Sequence, residues 1–468
     1  MRRYVRGLVF CGRTEICAAY ELGMIIVIRR SRFSLTPGLM QYVTNSAWML
    51  AEYALRVISA IFITIYVARY LGPERFGILS YALALNAVFS AVSRLGMESI
   101  LVRDLVGNHS KAGEYMGTAF WLMLISSLIN FSILSIGIYG FEKEGLTRFY
   151  VWIIALSIIV QPLLVADYNF QAQVRAKLSA ISKSSALIIT SILKLLLVWY
   201  EANLVFIVVA FLLDFVMTGA MLIFMHIYTK QPAFIFKFNR EYVRPLLSSA
   251  WPMVLSSVSI ILYMRVDQIM IKNMIGSYQL GLYAAATRVY EGWLMMSVVI
   301  AISLLPAIVK LKTNHPKRYE EGLSKVFALL FWAGVAAAIL STILGSRLIV
   351  LVFGEKFSDV SSVFTVIMWS AGFAAFGSLS SRYLTVEGLE RKIASRSFVA
   401  LAVNIALNFA LIPHFGIEGA AIATLIAIII SNYLINFTDK ELNQLARICN
   451  NALLFRFSYE NTRYENKC

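Results

Sequence analysis

Cysteine and histidine are scarce in this 468-residue chain, with four of each. Cys11, Cys17, Cys449 and Cys468 form no C-x-x-C pair, and His109, His226, His315 and His414 lie far apart, so neither a disulfide framework nor a metal site is supported. No G-x-x-x-x-G-K-[ST] run is present, which excludes nucleotide hydrolysis by a phosphate loop. Charged residues make up 15% of the chain, and no connection between apolar runs exceeds about 20 residues. That leaves no room for a soluble catalytic domain, and neither an enzyme nor a cofactor is expected.

What is abundant is apolar surface: 59% of the residues are hydrophobic, too many for one water-soluble core. A bilayer span takes roughly 20 apolar residues. Twelve such runs can be read, at approximately 46–68, 78–95, 116–140, 149–167, 181–200, 203–226, 247–271, 281–308, 324–345, 360–381, 393–413 and 417–437. The net charge of +16 is distributed unevenly: with the N-terminus inside, the inner loops and tails hold 31 of the 42 Lys and Arg, and the outer loops hold 7. This positive-inside asymmetry predicts an all-α polytopic protein of the cytoplasmic membrane with both termini cytoplasmic. It also accounts for the basic balance without nucleic acid.

Residues 1–36 read as a basic cytoplasmic extension, with Met24 and Met40 as alternative starts. Two six-helix lobes follow, 37–226 and 247–437, with a cytoplasmic linker at 227–246 and a cytoplasmic tail at 438–468. The lobes are expected to be related by pseudo-symmetry. Gly72-Pro-Glu-Arg-Phe-Gly77 and Gly276-Ser-Tyr-Gln-Leu-Gly281 share a G-x4-G pattern, both glycines displaced by the same 204 positions. A repeat of this kind is the geometry from which alternating access is built. In the tail, Leu442, Leu445, Cys449, Ala452 and Leu453 recur at helical spacing, which predicts a helix lying along the membrane surface.

Eight charged residues interrupt the apolar runs: Glu52, Arg56, Lys194, Asp214, Arg265, Asp267, Arg288 and Glu291. A lipid-facing charge at mid-bilayer costs about 2.5–3.5 kcal/mol even on the lenient scale, so these should face the protein interior. Glu52 and Arg56 are four apart and Arg288 and Glu291 three apart, so each couple shares a helix face. Arg265 and Asp267, two apart, need partners on other helices; Lys194 and Asp214 stand alone and read as nearer to structural. Arg56, Arg265, Arg288 and Lys194 are candidates for a phosphate- and sugar-binding cavity, because guanidinium groups stay charged when buried and bind phosphate oxygens in bidentate fashion. Glu52, Asp267, Glu291 and Asp214 are candidates for H+ or Na+ coupling or for charge pairing. Tyr53, Trp251, Tyr263, Tyr283, Tyr290 and Trp293 lie near these charges and suit either interfacial anchoring or stacking on sugars.

The run from Trp251 to Gly276 with its Arg265-Val-Asp267-Gln268 core resembles bacterial and archaeal polysaccharide biosynthesis transporters. So do Gly281-Leu-Tyr283-Ala-Ala-Ala-Thr-Arg288-Val-Tyr-Glu291, Ile412-Pro413-His-Phe-Gly416-Ile-Glu-Gly419-Ala-Ala-Ile-Ala-Thr424 and Arg69-Tyr-Leu-Gly72-Pro-Glu-Arg-Phe-Gly77. These transporters are the O-antigen and exopolysaccharide repeat-unit flippase branch of the multidrug/oligosaccharidyl-lipid/polysaccharide exporter superfamily. The resemblance implies twelve helices in two lobes and movement of polyprenyl-pyrophosphate-linked oligosaccharide to the outer leaflet. It also implies contact with membrane lipids and a place beside polysaccharide polymerase and chain-length machinery. A peptidoglycan lipid-precursor flippase and a drug/cation antiporter of the same fold are the alternatives; the four interior bases disfavour the latter.

Overall fold

The apolar runs form helices because, without water, only a helix satisfies every main-chain polar group within its own segment. A computed structural model describes residues 37–314 and 316–456. The elements are α1 (Pro37–Ser93), α2 (Met97–Gly107), α3 (Ala112–Phe141), α4 (Gly145–Val160), α5 (Val165–Ala172), α6 (Ala176–Trp199) and α7 (Leu204–Tyr228). They continue with α8 (Val243–Ile275), α9 (Ser277–Asn314), α10 (Pro316–Phe353), α11 (Ser361–Met368), α12 (Ala371–Val386), α13 (Glu390–Asn432) and α14 (Asn443–Leu453). Nine helices among the described residues are long and apolar enough to cross a membrane, or ten if the pair Glu355–Met368 and Ala371–Val386, bent by 47°, is one span. Two of the helices, α1 and α13, turn at a non-helical glycine, Gly72 and Gly416, so each carries two of the twelve expected runs.

These turns replace the loops expected from the sequence. Gly72 has φ 73° and Gly276 has φ 98°, a region that residues with a Cβ rarely enter. Pro73 then opens the second limb of α1 with φ already set for a helix.

The two turns meet. A Cβ on Gly77 would stand 1.9 Å from the Ser277 carbonyl oxygen, and one on Gly281 would stand 1.7 Å from the Pro73 carbonyl oxygen. Residue 77 meets 277 as residue 281 meets 73, which is the reciprocal contact of a two-fold repeat. Around it Ile63, Val67, Phe76, Leu79, Leu280, Tyr283 and Phe357 share one apolar core drawn from both halves. Lys272 adds an ion pair across the halves to Glu142 at 3.1 Å, both groups buried, with Glu144 at 3.7 Å. This end, opposite the basic loops, is closed.

Within the first half α7 packs on α6 and α4, and α3 on α4; in the second, α13 packs on α8, and α12 on α10 and α9. Three segments differ from the sequence reading. The stretch after the second run is a helix, α2, whose Met97, Ile100, Leu101 and Leu105 are buried. The segment between α7 and α8 is held on α3: Trp121 Nε1–H donates to the Ile235 carbonyl at 2.8 Å, and Asn239 Nδ2–H to Glu114 Oε2 at 2.8 Å. Finally, α14 does not lay its apolar face on lipid. Leu442, Leu445, Ile448, Cys449 and Ala452 are buried in a core with Phe327, Phe331 and Phe376, because α10 and α12 offer a complementary apolar groove. Residues 1–36 and 457–468, with Cys11, Cys17 and Cys468, lie outside the described residues.

Candidate functional site

A cavity of about 590 Å³ lies largely within the first half. It begins at the basic end, where Arg94, Glu98, Asp167 and Lys183 line it, and reaches inward to Asn86, Lys194 and Asp214. Five cations (Arg56, Arg94, Lys183, Lys194, Arg288) and four acids (Glu52, Glu98, Asp167, Asp214) border it, with Ser59, Thr64, Ser90, Ser191, Thr218 and Gln161 between them. The wall is therefore polar at several depths, and the apolar core around Val67 and Phe76 floors it.

The ion pairs are built from facing helices. Lys194 of α6 and Asp214 of α7 are paired directly, which corrects the expectation that each stands alone: they sit at matching depths on antiparallel neighbours. Lys194 is nearly buried, whereas the Asp214 side chain is 27% exposed and its Oδ1 has no partner among the described residues. Asp167 accepts from Lys183 Nζ at 2.6 Å, from Gln171 at 2.9 Å and from the Ser179 hydroxyl. Ser157 Oγ–H donates to Asn86 Oδ1 at 2.9 Å, joining α4 to α1 across the cavity wall. Glu52 and Arg56 pair at 2.9 Å, and the Arg56 side chain, 53% exposed, borders the cavity.

In the second half Glu291 holds two arginines, Arg265 at 2.8 Å and Arg288 at 2.9 Å. Arg288 borders the cavity while Arg265, Asp267 and Glu291 do not. Arg265 thus reaches the cavity only through the shared carboxylate. Asp267 makes no ion pair among the described residues. It accepts from the Tyr283 hydroxyl and, at 2.7 Å, from the Gln268 main-chain N–H. Tyr283 lies 3.4 Å from Thr424 Oγ1, Asn404 donates to Thr424 at 3.3 Å, and Asn408 donates to Asn404 at 3.0 Å, with Asn408 Oδ1 left unpartnered.

Of the aromatic candidates, Tyr283 and Tyr290 are buried in the core and Trp251 is exposed; the rings that border the cavity are Tyr168, Phe211 and Phe215. Arg94, Glu98, Asp167 and Lys183 were missed as site residues because they fall at the ends of apolar runs, where charges ordinarily belong to loops. The signal available was their recurrence at the basic ends of runs two, four and five. At the flanks of the cavity, Tyr53 O–H meets Met295 Sδ at 2.5 Å and a Cβ on Gly292 would meet Ile61, so α1 closes on α9.

A bundle of long apolar helices with a charged, polar-walled cavity reached from one end is the build of a multi-pass membrane transporter. Residues 43–312, more than half of the chain, match the family described as polysaccharide biosynthesis protein, and the chain belongs to that family. It is similar to the capsular polysaccharide biosynthesis protein CapF of Staphylococcus aureus, 22% identical over 393 residues covering 82% of this chain and 96% of that one. It is also similar to a Shigella flexneri protein named as an O-antigen transporter, 21% identical over 85% of this chain and 97% of that one. Among solved structures, the lipid II flippase MurJ in an inward closed conformation shares the fold, with TM-score 0.64 and 17% identity over 88% of this chain and 91% of that one.

Proposed function

We propose that this chain is a flippase that carries lipid-(pyro)phosphate-linked oligosaccharide repeat units across the cytoplasmic membrane for surface polysaccharide synthesis, by alternating access. The observation that carries the reading is the cavity. It is reached from the basic end, taken as cytoplasmic by the positive-inside rule, and closed at the other end by the Gly77 and Gly281 contact. Arg56, Arg94, Lys183, Lys194 and Arg288 supply countercharge for phosphate, and the serine, threonine, asparagine and glutamine side chains supply hydrogen bonds for sugar hydroxyls. The lipid tail stays in the membrane, so only the polar head has to fit. Polysaccharide polymerase and chain-length proteins are the partners expected to draw on the product.

Vectorial movement without a nucleotide site calls for an ion gradient or a downstream sink. Asp267, an interior acid with no cationic partner among the described residues and set among Tyr283, Thr424, Asn404 and Asn408, is the position suited to take up H+ or Na+. Glu52 and Glu291 are engaged in pairs, which suits them to holding the arginines in place.

Vesicles containing the purified protein and a fluorescent polyprenyl-pyrophosphate oligosaccharide test this. Protein-dependent transfer to the opposite leaflet is expected, and Arg288→Ala or Arg56→Ala should slow it about ten- to hundred-fold, the worth of a charge-assisted hydrogen bond of about 1.5–3 kcal/mol. Transfer no faster than in protein-free vesicles, or variants as fast as the parent, would remove the reading.

A further inference from the structure

Among the described residues outside this cavity, one buried cation has no acid within ion-pairing distance. Arg396 of α13 is 6% exposed and is not among the residues that line the transport cavity. Its Nε–H donates to the Ser431 carbonyl oxygen at 2.8 Å, and its Nη2 has no partner among the described residues. Asp439 and Glu441, the acids that border the adjoining cleft, are both held by Lys392, the latter at 2.8 Å. A guanidinium does not shed its proton in a protein, so the charge persists.

Arg396 borders a small cavity of about 70 Å³ whose other polar walls are Ser381, Ser397, Tyr263, Ser431 and Asn432. The three serine hydroxyls donate to carbonyls of their own helices, which leaves the Asn432 amide and the Tyr263 hydroxyl to donate into the space, and no acid lines it. An acid-free space beside an uncompensated cation selects for negative charge. At 70 Å³ against 590 Å³ it is about an eighth of the transport cavity, which suits a small ion better than a lipid phosphate with its ester arms. Arg396 also borders the open cleft at the basic end, which gives an ion from the cytoplasm a path to it.

We propose that Arg396 binds a small monovalent anion of the halide class, chloride being the cellular example, and that the bound ion ties the two limbs of α13 to α12. The site is separate from the proposed transport cavity, so its fate does not depend on what that cavity carries.

The experiment compares thermal unfolding of the purified full chain in sodium chloride, sodium gluconate and sodium phosphate at equal ionic strength, with crystals grown in bromide as the direct readout. Chloride should raise the midpoint saturably, by about 2 °C or more over gluconate. An anomalous bromide peak should stand within hydrogen-bonding distance of Arg396 Nη2. Arg396→Gln should abolish the chloride response, and so should Ser381→Val, which fills the space and leaves the charge. Equal midpoints in chloride and gluconate would overturn the proposal, as would stabilisation by phosphate alone. A chloride response that survives in Ser381→Val, or no bromide peak at Arg396 in the parent protein, would leave a hydrated arginine only.

Discussion

Replacing Gly281 by alanine is the sharpest test of the closed end. The new Cβ would lie 1.7 Å from the Pro73 carbonyl oxygen, where ordinary contact begins at 3.4 Å, so the two turns must separate by the difference. No rotamer can relieve the clash, because both groups are main chain or fixed to it. Overpacking costs typically 1–3 kcal/mol, and a backbone obstacle puts this case at the upper end, about 3 kcal/mol. That penalty falls on the conformation in which the turns touch, and at about 1.4 kcal/mol per factor of ten it shifts the closed-to-open ratio at this end roughly a hundredfold. Spin labels on cysteines replacing the exposed Arg75 and Tyr278 would read the separation directly as a population moved to longer distance. Gly77→Ala should act in the same direction through its 1.9 Å approach to Ser277, and the double variant should cost less than the sum, since both changes push apart the same two backbones. Gly137→Ala, with nothing within 4 Å of the added carbon, is the control and should stabilise by about 0.5–1 kcal/mol. A distance distribution for Gly281→Ala identical to the parent's, with a stability change like that of the control, would refute the reciprocal contact.

Three further outcomes are expected. Lys194→Met alone should lower the amount of folded protein by leaving Asp214 unpaired, toward the lower end of the roughly 3–5 kcal/mol for breaking a buried pair because Asp214 touches the cavity; Lys194→Met with Asp214→Leu should restore folding, measured by size-exclusion yield, but not transport. Asp267→Asn should remove any dependence of flipping on an imposed H+ or Na+ gradient while leaving yield intact, whereas Glu291→Gln, which frees Arg265 and Arg288 together, should reduce yield itself. The Cys449 thiol, on the face of α14 that packs into the core with Phe327 and Phe376, is pushed up to about 12 by burial, so at pH 8 its thiolate is scarce; a maleimide should label it in the native protein far more slowly than in urea, and equal rates would mean that α14 is not docked.

The helical class and the membrane were legible in the apolar runs, because these depend on local patterning, and the reciprocal glycine contact is compatible with the expected repeat. The motifs at Gly72 and Gly416 were read as lying between spans, but not that one glycine makes each turn, since a glycine with positive φ needs no loop residues around it and leaves no stretch of polar sequence. The pairing of Lys194 with Asp214 was hidden for a different reason: it depends on the relative depth of two antiparallel helices, which the sequence does not carry. Arg94 and Lys183 look like loop charges until the bundle is assembled and the ends of α1 and α6 are seen to border the cavity. The amphipathic pattern of α14 was visible, but a stripe of Leu, Ile and Ala suits lipid and a protein groove alike, and only Phe327, Phe331 and Phe376 decide between them.

The Gly77 and Gly281 contact has no side chain in it. Nothing there titrates, and nothing is screened by salt, in contrast to the neighbouring pair of Lys272 with Glu142. Acidifying the outside or changing its ionic strength can loosen the pair and yet leave the glycine contact in place. In the proposed transport cycle such a door is chemically blind: it would answer to load transmitted along α1 and α9 from the loaded end, and not to the solution outside.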